Sequence, residues 1–121
     1  MLENKDYCDY DTCVTLKKLG FNSLVDWYFK EDKSIASSFA RYRKTYIPRI
    51  SLYEAQKWLR EEKDILVYPE KNSFGWYYAI HYNVGKVQQF KYSEEYDSYE
   101  DALLEGIKEA VKMLKENDNK D

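Results

Sequence analysis

Apolar residues along this chain recur first at helical spacing, then at strand spacing, and the order of these stretches outlines a fold. Val14, Leu16 and Leu19 keep helical spacing behind Asp11 and Thr12, either of which can accept from a free amide at a helix start. Gly20 suits the left-handed residue that ends such a helix, with Phe21 packing back on Leu16. From Leu24 to Lys30 the pattern changes to alternation. Val25, Trp27 and Phe29 fall on one side of a half-buried strand, and Asp26, Tyr28 and Lys30 on the other. Glu31, Asp32 and Lys33 read as a turn. Residues 34–43 fit two descriptions: Ile35, Phe39 and Tyr42 have helical spacing, while the β-branched and aromatic content suits a returning strand. The hairpin is the preferred reading.

The second half of the chain is more regular. Ser51 and Glu54 have the spacing of a reciprocal cap, Ile50 can staple to Ala55, and Leu52, Ala55, Trp58 and Leu59 form the apolar stripe of a helix. Three strands are expected next. Ile65–Tyr68 ends at Pro69, Glu70–Ser73 connects, and Trp76–Tyr82 follows with both faces apolar enough for a central position. Asn83-Val84-Gly85 is a tight turn with glycine for positive φ, and Val87–Tyr92 returns. A last helix starts at Ser98, with Leu103, Ile107, Ala110 and Leu114 as its buried stripe, flanked by Leu104 and Val111. Gly106 inside that stripe costs the helix about 1 kcal/mol relative to Ala; close approach to an aromatic on the sheet is the preferred reading over a functional role. The predicted class is α+β: an antiparallel sheet, made of an N-terminal hairpin and a three-stranded meander, packed against two main helices. Its C-terminal part runs α-β-β-β-α.

Length and composition refine this picture. The 121 residues suit a single domain over 1–121, with fraying expected at 1–9 and 117–121. Thirteen Tyr, 5 Phe and 3 Trp make this a core of rings more than of leucine, and 2 Pro with 4 Gly leave no flexible linker. The net charge of −3 is uneven: residues 1–63 carry +2 and residues 64–121 carry −5. That lowers the expectation of nucleic-acid binding by the surface at large without excluding a local patch. The N-terminus lacks the basic start and apolar run of a secretory signal, and no stretch approaches the roughly 18 apolar residues of a membrane span. A cytoplasmic, membrane-free protein is expected. Cys8 and Cys13 are then free thiols, and with His81 as the only other soft ligand they fall short of a structural zinc set.

Several local patterns are similar to known families. The order from residue 51 onward resembles the double-stranded RNA-binding domain, whose last helix begins with phosphate-binding lysines. Here that turn reads Tyr99-Glu100-Asp101-Ala102 behind Glu94, Glu95 and Asp97, a charge that repels a duplex. Gly75-Trp76-Tyr77-Tyr78 followed by Tyr99-Glu100-Asp101-Ala102-Leu103-Leu104-Glu105-Gly106 looks similar to HicB-type antitoxins, without their proline-glycine stretch. A broader likeness is to small uncharacterised proteins of phages and other mobile elements of Bacteroides-type gut bacteria. It rests on Leu16-Lys17-Lys18-Leu19-Gly20-Phe21, Ile47-Pro48 leading to Gln56-Lys57-Trp58-Leu59-Arg60-Glu61, Gly75-Trp76-Tyr77-Tyr78, and Tyr99-Glu100-Asp101-Ala102-Leu103. This resemblance implies an accessory role in a mobile element and no particular chemistry.

Nothing in the sequence assembles a reaction site. His81 is the lone imidazole on a tyrosine-rich strand, and there is no phosphate loop, metal-ligand helix pair or nucleophile elbow. No catalytic, cofactor-binding or metal-ligating residue is therefore assigned. The candidate binding surface is Arg41, Tyr42, Arg43, Lys44, Tyr46 and Arg49, in a stretch with no acidic residue from Ser34 to Tyr53. Cations there would neutralise phosphates and rings would stack on bases. Arg and Tyr are also the side chains of protein hot spots, and basic residues also blunt a sheet edge. The expectation is a non-enzymatic binding protein acting on a protein partner or by self-association, with nucleic-acid binding through 41–49 as the alternative.

Overall fold

The computed structural model describes residues 2–37 and 45–118. Its elements are α1 (Tyr10–Lys18), β1 (Trp27–Phe29), β2 (Ile35–Ser37), β3 (Ile47–Pro48), α2 (Leu52–Lys63), β4 (Leu66–Asn72), β5 (Gly75–Val84), β6 (Val87–Tyr92) and α3 (Tyr99–Asp118). The chain is α+β, with two antiparallel three-stranded sheets ordered β2-β1-β3 and β4-β5-β6. The expected hairpin and meander are both present, but as separate sheets.

Local chemistry accounts for the helix ends. Asp9, two residues before the expected start, accepts from the Thr12 amide at 2.8 Å and so caps α1. At its other end Gly20, with φ +113°, lets the Gly20 and Phe21 amides bond back to Lys17 and Leu16, satisfying carbonyls that would otherwise lose water unpaired. Ser51 Oγ accepts from the Glu54 amide at 3.0 Å, and Glu54 accepts from the Ser51 amide at 3.1 Å. α3 begins where Ser98 Oγ accepts from the Asp101 amide at 3.1 Å.

Two strand expectations are corrected as well. In β1 it is Tyr28 that is buried, while Trp27 is exposed and Phe29 half-buried. A bend at Asp26 shifts the phase, so that Val25 and Tyr28, three apart, both turn inward. β4 does not end at Pro69 but continues to Asn72, because β4 is an edge strand where a missing amide can face outward. Within the N-terminal segment, Cys8 is buried and its amide donates to the Ile50 carbonyl, and Tyr7 bridges Ser51. β3, unpredicted, adds a short strand through Phe29↔Ile47 and Tyr28↔Pro48. α3 reaches Asp118; the rest of the expected tail, and all of 38–43 in the hairpin reading, lie outside the described residues.

One apolar cluster joins both halves, from Cys13, Leu16 and Tyr28 to Trp58, Val67, Ile80, Leu103 and Ile107. α3 crosses β4 and β5, and α2 packs on β4 and α3, so both helices cover the same face of the second sheet. Burying side chains such as Leu103 and Ile107 contributes about 1.5–3 kcal/mol each. Gly106 makes the close approach possible: a Cβ there would lie 2.7 Å from Val67 Cγ1 and 2.9 Å from Tyr78 Cβ.

Candidate functional site: an open aromatic sheet face

The register of the second sheet sorts its side chains into two layers. Val67 pairs with Ile80, and Ile80 with Lys91; these residues lie on the helix side, where Lys91 bonds Glu109 of α3. Side chains alternate along a strand, so the opposite face carries Leu66, Tyr68 and Glu70 from β4, Tyr77, Ala79, His81 and Asn83 from β5, and Gln88, Phe90 and Tyr92 from β6. No helix or strand of the described residues packs across it.

This face is built from rings that touch. Tyr68 Oη and His81 Nε2 are 2.8 Å apart and share a hydrogen bond, with the ring centroids at 5.1 Å. His81 meets Phe90 edge to face at 4.6 Å, and Tyr77 lies 6.3 Å from Tyr92. Ala79 is fully buried, flanked across the register by Tyr68 and Tyr92. Phe90 and Tyr92 are 51% and 60% exposed, far more than rings of this size need to be in a covered sheet.

Its electrostatics are sparse. Glu70 accepts from the Tyr77 hydroxyl, and that bond holds the Tyr77 phenol above its ordinary range. Tyr68 is raised too, first by desolvation and then by the charge of Glu70. Among the described residues the strands place no lysine or arginine on this face; Arg60 of α2 stands at its margin beside Leu66 and His81. Nor does any group of three or more His, Cys, Asp or Glu among the described residues come together to hold a metal ion. The arrangement offers flat apolar area with a few fixed hydroxyls, the chemistry of recognition through contact.

Of the sequence-predicted surface, only Tyr46 and Arg49 are among the described residues. Arg41, Tyr42, Arg43 and Lys44 lie outside the described residues. Arg49 stacks over the Tyr7 ring at 3.8 Å and donates to Asn4 Oδ1 at 2.7 Å, which anchors the N-terminal segment. Tyr46 packs against the core, and its carbonyl accepts from Lys17 Nζ at 2.8 Å. Cys8 and Cys13 are both free and buried; Cys13 Sγ accepts from the Ile50 amide at 3.4 Å.

Sequence reasoning saw the alternation of Tyr77, Ala79 and His81 but not that Tyr68, Phe90 and Tyr92 share their face. The available signal was register: the tight turn at Gly85 fixes which β6 residues oppose which β5 residues, and so their side. No family model matches the chain, and neither a curated protein nor a solved structure matches it. No helix among the described residues is long and apolar enough to cross a membrane.

Proposed function

We propose that this chain is a non-enzymatic binding protein, an accessory of a mobile element, that works by contact with a protein partner through the open face of β4, β5 and β6. The observation that carries this reading is the group Tyr68, Tyr77, His81, Phe90 and Tyr92 on a sheet face that the helices leave bare. Tyrosine supplies large contact area at low entropy cost, and such rings dominate protein hot spots. A sheet face that only needed to be wetted would carry lysine, glutamate or threonine in these positions.

Nucleic acid is the second reading, favoured by the four cations of 41–49 in a stretch without acidic residues. The two readings separate by salt and by variant. Labelled single- and double-stranded DNA and RNA are titrated with the protein at about 50 and 200 mM salt, the range over which phosphate contacts lose most of their affinity. In parallel, proteins are captured from host-cell extract with the wild type and with Tyr68→Ala/Tyr77→Ala. The protein-contact reading expects a captured protein that the double variant loses. Salt-sensitive nucleic-acid binding, lost when Arg41, Arg43, Lys44 and Arg49 become Ala, would replace it.

A further inference from the structure

The two edges of the second sheet are not alike. Ser93 N–H donates to the Tyr78 carbonyl, so by the alternation of an antiparallel ladder the amides of β5 at even numbers face β6 and those at odd numbers face β4. It follows that Val67 and Pro69 direct their main-chain groups to the outer edge of β4. Both are closed to pairing: Gln56 Nε2 donates to the Val67 carbonyl at 2.7 Å, and Pro69 has no N–H. On β6 the outward groups belong to Gln88, Phe90 and Tyr92, and no group among the described residues bonds them. β6 has no proline, and among the described residues no side chain hydrogen-bonds its outward groups. It ends at a bulge, where Glu94 and Glu95 stand between the Ser93–Tyr78 and Tyr96–Trp76 contacts.

We infer that the β6 edge pairs antiparallel with β6 of a second copy of this chain, joining two sheets into one about a two-fold axis at Phe90. Only equal parity keeps side chains on matching faces. The register that satisfies all the outward groups sets Phe90 against Phe90 of the second copy and Gln88 against Tyr92. The same register brings Lys86, in the exposed turn, opposite Glu94 of the second copy at both ends of the seam. Lys91, already bonded to Glu109, comes opposite Gln89 instead of its own like charge. α3 lies over β4 and β5, which leaves the helix side of β6 clear for the neighbour. Charge, hydrogen bonding and steric room thus select one occupant, and the self-pairing doubles the length of the aromatic face. This deepens the binding reading and rests on it for its purpose, while its geometry depends on the edge alone.

The test is the solution mass of the full chain by sedimentation and light scattering across a concentration series, with four variants. The wild type is expected to approach twice the monomer mass. Gln88→Pro removes one outward amide and no bond to β5, so it should stay folded by circular dichroism and lose the dimer. Lys86→Glu should weaken the dimer about tenfold or more, and Lys86→Glu/Glu94→Lys should restore it. Phe90→Cys should cross-link to itself under mild oxidation, because directly opposed hydrogen-bonded residues lie about 5.5 Å apart, within disulfide reach. A wild type that stays monomeric to its solubility limit overturns the inference, and so does a dimer indifferent to Gln88→Pro and to the charge exchange. Tyr68 and Tyr77 lie off this edge, so loss of partner capture in Tyr68→Ala/Tyr77→Ala is read separately from the dimer.

Discussion

Gly106→Ala measures how tightly α3 sits on the sheet. Taken alone the helix would gain, since Ala is favoured over Gly by about 1 kcal/mol in a helix interior. Opposing this, the new methyl would stand 2.7 Å from Val67 Cγ1 and 2.9 Å from Tyr78 Cβ, closer than carbon atoms approach without displacement. Neither neighbour can yield cheaply. Val67 is fully buried, and the Tyr78 Cβ is fixed to the backbone of the central strand. Overpacking of this kind costs about 1–3 kcal/mol, so the expected balance is a net loss of about 1 kcal/mol. Urea unfolding followed by far-ultraviolet circular dichroism would show it as a lower midpoint with an unchanged slope. Val67→Ala should relieve part of the strain, making Gly106→Ala/Val67→Ala less damaging than the two single changes added together. A gain of about 1 kcal/mol for Gly106→Ala would falsify the close approach.

Other perturbations probe the caps and the N-terminal anchor. Ser51→Ala removes the acceptor of the Glu54 amide at a position that is itself buried, and should cost about 1–2 kcal/mol in the same urea assay; a change below a few tenths would mean the cap is idle. Asp6 is held below the ordinary carboxylate range by the Glu3 amide and, after it, by the Tyr53 hydroxyl. Because its folded pKa is depressed, its contribution is complete above the unfolded value, near pH 4, and is lost as pH falls through the folded one. The urea midpoint of the wild type should therefore fall with acidification more steeply than that of Asp6→Asn, and parallel curves would refute the assignment. On the phenol side of that bond, burial and then Asp6 push Tyr53 up to about 12, so Tyr53→Phe should remove one late-titrating phenol from the ultraviolet pH titration. An unaltered high-pH limb would contradict it.

Local signals in the sequence were dependable at several single-residue bonds, although the α1 cap falls on Asp9 and not on Asp11 or Thr12. Ser51 with Glu54, Gly20 with Phe21, and Gly106 against an aromatic of the sheet, Tyr78, were all legible, because caps and close contacts require particular side chains; the nearer contact of Gly106, Val67, was not. Features that depend on a neighbour elsewhere in the chain were not. The buried side of β1 turned on a bend at Asp26, and the passage of β4 through Pro69 turned on its being an edge. The open face was half legible. Alternation showed that β5 has two apolar faces, but a strand's own pattern cannot say which of them the helices will cover. That choice is made by α3 packing on Val67, Tyr78 and Ile80, and it leaves Tyr77 and His81 outside with Tyr68, Phe90 and Tyr92. The basic segment stood out by composition alone, and of its described members Arg49 holds Tyr7 and Asn4 while Tyr46 packs on the core.

The central claim is that the bare aromatic face is the contact surface, and its most direct test is affinity for a captured protein, measured by titration against the wild type and Tyr68→Ala/Tyr77→Ala. Hot-spot rings contribute about 2 kcal/mol each on truncation, so losing both predicts a loss of about 4 kcal/mol, roughly a thousandfold, in a double variant that circular dichroism shows to be folded. Equal affinity in the folded double variant would place the contact elsewhere and contradict the claim.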